Sequence, residues 1–212
     1  MESVEDYNLF MMCESLETSA LSKIPRGFHS RYCRSDEIDL WLEFPFDHSH
    51  EVDTHKRFMV SFFERVYKPR QGDFLKSCLF LCDSEDVPVA TCFLWNSYEK
   101  INTIHWLKVR KDWEGRGLGR AVLSLVLEDT VSEDYPIYLH TQPGSFRAIK
   151  LYLDFGFRFI DDPMIGDRPN QFKQSLAYLR KNIPEHFLVN KLDTVSAPIA
   201  LLDAANSGPF EF

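Results

Sequence analysis

The sequence predicts an α/β (α+β) fold, a mixed and mostly antiparallel sheet flanked by helices, on three observations. Two strand-like runs, SCLFLCD (77–83) and VATCFLWN (89–96), flank the turn SEDVP and read as a β-hairpin. A third strand-like run, TIHWLKV (103–109), leads into VRKDWEGRGLGR, where Gly115, Gly117 and Gly119 stand at every second position before the amphipathic AVLSLVLE (121–128). Beyond it, the strand-like PIYLHT (136–141) and FRFI (157–160) enclose SFRAIKLYLDF (145–155), a helix that Gly156 can end.

The remaining elements follow from N- to C-terminus. Leu9, Met12, Cys13, Leu16 and Ala20 recur at helical spacing, so residues 1–24 are expected to carry an appended helix over 6–22, capped by Asp6. Pro25 and Gly27 interrupt the chain, FHSRYC (28–33) alternates as a first strand, and Ser35 or Asp36 can cap a short helix through Leu42. FPFDHSHEVDTH (44–55) is a polar loop. KRFMVSFFERVY (56–67) places Phe58, Phe62, Phe63 and Val66 on one helical face, and KPRQGD (68–73) is a turn. A helix over 170–183 begins after Pro169, and 190–212 has little pattern. The expected organisation is an N-terminal helix (1–24), a central domain (25–165) and a C-terminal helix and tail (166–212).

Composition limits the partners. The chain has 212 residues, 44% apolar and 26% charged, as suits a soluble domain with a real core. With 24 basic and 32 acidic residues its net charge is −8, which argues against a broad nucleic-acid surface. No run reaches ~18 apolar residues, so no membrane span is expected. The N-terminus opens acidic where a secretory signal opens basic, so a cytoplasmic protein is expected. The five cysteines (13, 33, 78, 82 and 92) lack a disulfide framework or paired metal-ligand spacing and read as buried reduced thiols. His48, His50 and His55 sit among Asp47, Glu51 and Asp53, but no zinc spacing fits them; a solvated loop is expected and no metal.

The glycine turn matches neither GxxxxGK[ST] nor GxGxxG, since Arg120 stands three residues after Gly117. A G-x-G-x-G turn entering a helix nevertheless lets backbone amides converge beside the positive helix end, which makes an anion site suited to a pyrophosphate. Arg116 and Arg120 add positive charge, and a plain strand–helix turn needs only one glycine.

VRKDWEGRGLGRAV and, further on, YLHTQPGSFRAIKLYLDFGF together resemble the GNAT N-acetyltransferase superfamily, strongly over about 103–160. The family's Q/R-x-x-G-x-G/A signature falls on Glu114, Gly117 and Gly119, and its N-x-x-A-x-x-L-Y-x-x-x-G-F helix on SFRAIKLYLDFGF. The resemblance implies an acetyl-CoA-dependent N-acetyltransferase acting on an amine of a small molecule or peptide. It implies that the strand ending at Val109 splays from its neighbour so that pantetheine threads the gap, held by the backbone around Leu107, Lys108 and Val109. Amides across Glu114, Gly115, Arg116, Gly117, Leu118, Gly119 and Arg120 would then hold the phosphates, with Tyr152 as the acid that protonates the leaving thiolate. Dimers are common among proteins that look like this. The chain departs from the family pattern at Glu114 (usually Gln or Arg), at Ser145 (usually Asn, though its hydroxyl can still touch the cofactor), at Thr103 (often a catalytic Glu) and in the helix over 170–183, where a strand hairpin is usual.

Strand alternation puts Thr103, His105, Leu107 and Val109 on one face, so His105 points where the usual glutamate would. It is either a base with a suitable pKa of ~6.5 or a core histidine, and water-mediated deprotonation is the third option. His140, on the next strand, reads as structural. Asp47, Glu51 and Asp53 would suit a cationic acceptor and are equally ordinary loop residues. Two rival readings stand beside the enzyme: a non-catalytic acyl-CoA-binding sensor or interaction module, and a scaffold that binds no CoA.

Overall fold

The computed structural model describes residues 3–46, 52–185 and 192–212, with the side chains of 52–54 excepted. The chain forms two compact units, Met1–Leu21 with Asn96–Ile104 and Thr130–Phe212, and Ser22–Trp95 with His105–Asp129. Ten strands and seven helices are described. They are β1 (Leu9–Cys13), β2 (His29–Tyr32), α1 (Ile38–Glu43), α2 (Val52–Phe62), α3 (Gln71–Ser77), β3 (Leu79–Cys82), β4 (Pro88–Ser97), β5 (Ile101–Val109) and α4 (Leu118–Leu127). Then follow β6 (Ile137–Thr141), α5 (Phe146–Asp154), β7 (Arg158–Ile160), β8 (Met164–Ile165), β9 (Arg168–Pro169), α6 (Phe172–Asn182), β10 (Thr194–Val195) and α7 (Ile199–Ala205).

In the first unit the strand order is β10-β7-β1-β6-β5. β1 pairs antiparallel with both β6 and β7, and β6 pairs in parallel with β5 at Asn102↔Ile137 and Thr103↔Tyr138. All five residues of β1 are buried. Here the expectation of an N-terminal helix fails. A strand covered on both faces reads as an apolar run rather than an alternation, and LFMMC is too short for periodicity to separate helix from strand. The tail is structured too. β10 pairs in parallel with β7, and α7 buries Leu201 and Ala204 against Phe10, Met12, Tyr138 and Phe212.

In the second unit the order is β5-β4-β3-β2, with β2–β3 and β3–β4 antiparallel as the hairpin pattern predicts. The expected turn at 68–73 is helical instead. A 3-10 turn (Lys68–Arg70) leads into α3, because Pro69 stands in a first turn, where its missing N–H has no intrahelical bond to make. The core is aromatic: Trp41 lies edge-on to Phe74 at 5.0 Å and to Tyr67 at 5.6 Å, and Tyr67 edge-on to Trp95 at 5.0 Å. From the face predicted over 56–67, Phe62, Phe63 and Val66 are buried while Phe58 is exposed. α2 does not run on regularly. Its last turn, Phe63–Tyr67, is a π-turn in which the Lys68 amide donates to the Phe63 carbonyl.

Candidate active site

The strand that approaches the glycine turn is irregular. Successive strand residues should face opposite sides. Yet His105 packs on Phe93 at 5.5 Å, Trp106 on Phe62 at 5.6 Å, and both reach the same hydroxyl. Trp106 Nε1 donates to Tyr67 Oη at 2.8 Å, and Tyr67 Oη meets His105 Nδ1 at 2.5 Å. The cause is Trp106's φ of +52°, a left-handed conformation that turns its side chain back to the side of His105, as in a β-bulge. Alternation counted through Trp106 therefore does not hold, and the single face drawn through Thr103, His105, Leu107 and Val109 is broken.

His105 itself is buried, and burial lowers its pKa to about 3. At neutral pH it is an uncharged imidazole. Tyr67 Oη accepts from the indole and shares a second hydrogen bond with Nδ1, whose direction follows the tautomer of the imidazole. This environment fits the core-histidine alternative, and a base with so low a pKa would be a weak one. Thr103 is buried as well, its hydroxyl 2.6 Å from that of Ser97. His140 meets Asn8 Oδ1 at 2.8 Å and packs at a tilt against Phe10, with its pKa lowered to about 3 by burial and by the Arg168 charge, as suits a structural residue.

After β5 a 3-10 turn (Lys111–Trp113) leads to Glu114 and the glycines. Gly115 and Gly117 have φ of +78° and +79°, so both use the conformation that glycine alone adopts without strain. Gly117 is the N-cap of α4 and its carbonyl accepts from the Ala121 amide at 3.0 Å. The amides of the first turn, Leu118 to Arg120, are presented as at any helix start. Gly115, Arg116 and Gly117 are exposed. Arg116 lies over the Trp113 ring at 4.6 Å, and Trp113 packs edge-on to Phe28 at 5.5 Å. Glu114, the acidic departure, has Oε2 3.3 Å from Lys111 Nζ, so a cation partly offsets its charge. The donors, the two left-handed glycines and the guanidinium of Arg116 fit a pyrophosphate.

Leu107 to Arg120 thus lie together in the second unit, while Ser145 and Tyr152 belong to the first. Ser145 is exposed and its hydroxyl makes no capping bond to α5. Tyr152 is buried on α5 beside Phe157, ring centroids 5.8 Å apart. Gly156 ends α5 as predicted, with φ of +94° and no room for a Cβ, which would meet the Ser15 carbonyl at 2.9 Å. Of the proposed acceptor loop, Asp47, His48, His50 and Glu51 lie outside the described residues; His55 stacks on Phe46 at 4.1 Å. Tyr67 and Trp106 were not among the residues the sequence singled out. The one signal was a tyrosine ending a run otherwise rich in phenylalanine.

Among the described residues, His29, Cys82 and Asp86 bring metal-ligand atoms within 4.8 Å of one another. The Asp86 carboxylate, however, accepts from Arg31 and Arg34 at 2.7 Å each, and burial raises the Cys82 thiol to about 11. Two guanidiniums on one carboxylate make an ion network, not a cation site.

The sequence profile of the acetyltransferase (GNAT) family matches residues 38–157, more than half of the chain. The chain belongs to the GNAT acetyltransferase family. Among solved structures it is similar to a GNAT-family acetyltransferase from Colwellia psychrerythraea, at 13% identity over 71% of this chain and 51% of that one, TM-score 0.47. It is also similar to a GCN5-related N-acetyltransferase from Sphaerobacter thermophilus, at 17% identity over 63% and 42%, TM-score 0.44. The chain spans 36–51% of the length of four solved chains it matches and 59% of a fifth. No curated protein matches it.

Proposed function

We propose that the protein transfers an acetyl group from acetyl-CoA to an amine of a small molecule or peptide. The observation that carries this reading is the pair of left-handed glycines, Gly115 and Gly117, opening α4 after a bulged strand in a GNAT chain. In this reading the turn from Glu114 to Arg120 binds the pyrophosphate, the backbone of Leu107 to Val109 holds the pantetheine, and Ser145 offers a further hydrogen bond. The neutral amine attacks the thioester carbonyl and the C–S bond breaks. Tyr152 donates its proton to the thiolate, and the proton lost by the amine goes to water, since His105 is buried and poorly basic. The buried free thiols support a reducing compartment such as the cytoplasm.

The lack of a base at Thr103 and the weak basicity of the buried His105 also support a second reading, a non-catalytic acyl-CoA-binding module. Thiol release from acetyl-CoA across a panel of amines and N-terminal peptides separates the two. Amine-dependent release, reduced in Tyr152→Phe with acetyl-CoA binding intact, supports the transferase. Tight binding without release from any acceptor supports the module.

A further inference from the structure

Two irregularities of the second unit converge on one atom. The π-turn Phe63–Tyr67 re-aims the end of α2, and the left-handed Trp106 re-aims β5. What they achieve together is the contact of the Tyr67 hydroxyl with Trp106 Nε1 and His105 Nδ1. Tyr67 is fully buried, ringed by Trp41, Phe62, Phe63, Phe74 and Phe93. Phenylalanine would fill that space, so the hydroxyl is explained by the two polar groups of the bulge.

We propose that Tyr67 is a positioning residue for acyl-CoA. Its hydroxyl ties the two residues of the bulge to the end of α2 and thereby fixes the path of the backbone at Leu107, Lys108 and Val109. Tyr67 touches no substrate; it acts through Trp106 and His105. The inference rests on the reading that this stretch of β5 holds the pantetheine. The glycine turn, eight residues beyond Trp106 at its nearest member Glu114, is held separately by Trp113 on Phe28 and Lys111 on Glu114. Loosening the bulge therefore weakens the grip on the pantetheine arm and spares the nucleotide end.

The test is a calorimetric titration of the whole chain and its Tyr67→Phe variant with acetyl-CoA and with 3′,5′-ADP, the nucleotide end of CoA alone. A 1H–15N spectrum reads the indole N–H of Trp106, identified by its loss in Trp106→Phe. In Tyr67→Phe the acetyl-CoA dissociation constant is expected to rise about tenfold, the scale of one lost hydrogen bond. That for 3′,5′-ADP is expected to stay unchanged, while the Trp106 indole peak moves. Should Tyr67→Phe fail to fold, Trp106→Phe, which removes the donor and keeps an aromatic ring, carries the same two titrations with the same expectation. Equal weakening of both ligands, or no weakening of either, overturns the positioning role. A wild-type chain that binds 3′,5′-ADP and acetyl-CoA equally well overturns the pantetheine assignment itself. One that binds neither overturns the acyl-CoA reading as a whole.

Discussion

Trp106 holds a bulky side chain at a left-handed φ of +52°, and the structure around it must over-determine that conformation. The compensation is the hydrogen-bonded chain from its indole through Tyr67 to His105. Removing the Tyr67 hydroxyl leaves the buried His105 Nδ1 and the partly buried Trp106 Nε1 without that partner, so Tyr67→Phe should lower stability by about 1–3 kcal/mol in urea melts. His105 makes stability depend on pH. Its folded pKa, about 3, is below the unfolded value near 6.5, so between these limits the unfolded chain binds the extra proton. Stability should accordingly be full above pH ~6.5 and fall on acidification towards pH 3, by at most about 1.4 kcal/mol per pH unit. In His105→Asn, urea midpoints measured at pH 5 and pH 7 should differ less than in the wild type. Tyr152→Phe should reduce turnover by about 10²-fold or more at unchanged acetyl-CoA affinity if Tyr152 is the acid. The turn at Gly115 and Gly117 and the place of Tyr152 on α5 were legible from sequence because each sits in a spaced motif, while their roles remain the proposal made above. Trp106 was not, since nothing in TIHWLKV marks which residue leaves the pleat.

At the scale of elements, β1 was the misleading one. Its Leu9, Met12 and Cys13 fall at helical spacing by accident of a strand buried on both faces. An appended helix could be removed at small cost. A strand between β6 and β7 cannot, because its loss leaves two neighbours with unpaired edges and an open core. Deleting residues 1–24 should therefore yield no cooperative thermal transition by circular dichroism. A retained, near-native transition would restore the reading of the segment as an appendage. The glycine turn tolerates substitution differently. At Gly117 a Cβ has space, its nearest neighbour being Pro25 at 3.9 Å, but φ is +79°. Gly117→Ala should thus destabilise by about 1–2 kcal/mol through the backbone alone, a fall of roughly 2–8 °C in Tm. The hairpin β3–β4, the approach to α4, and α5 up to Gly156 were all readable because turn residues bound them. The tail was not. β10 and α7 are short segments whose placement depends on β7 and on the Phe10 cluster rather than on any periodicity of their own.

For the whole molecule, a chain of net charge −8 presents exposed Arg116 beside a helix start. The anion site proposed at this turn rests on local geometry, not global charge, and that is why composition alone excluded so little. The fold class was readable from the alternation of elements. The division into two compact units was not, because β4 and β5 run from one into the other without any break in composition. The proposed function stands on the binding of acetyl-CoA by the turn Glu114–Arg120. The most direct measurement is a thermal melt of the wild type and of Gly117→Glu, each with and without acetyl-CoA. At ~100 times its dissociation constant, the ligand should stabilise the wild type by about 2.7 kcal/mol, raising Tm by roughly 5–11 °C, and should leave the Tm of Gly117→Glu unmoved. A wild-type midpoint that does not move at millimolar acetyl-CoA, or an equal shift in the variant, would contradict the claim.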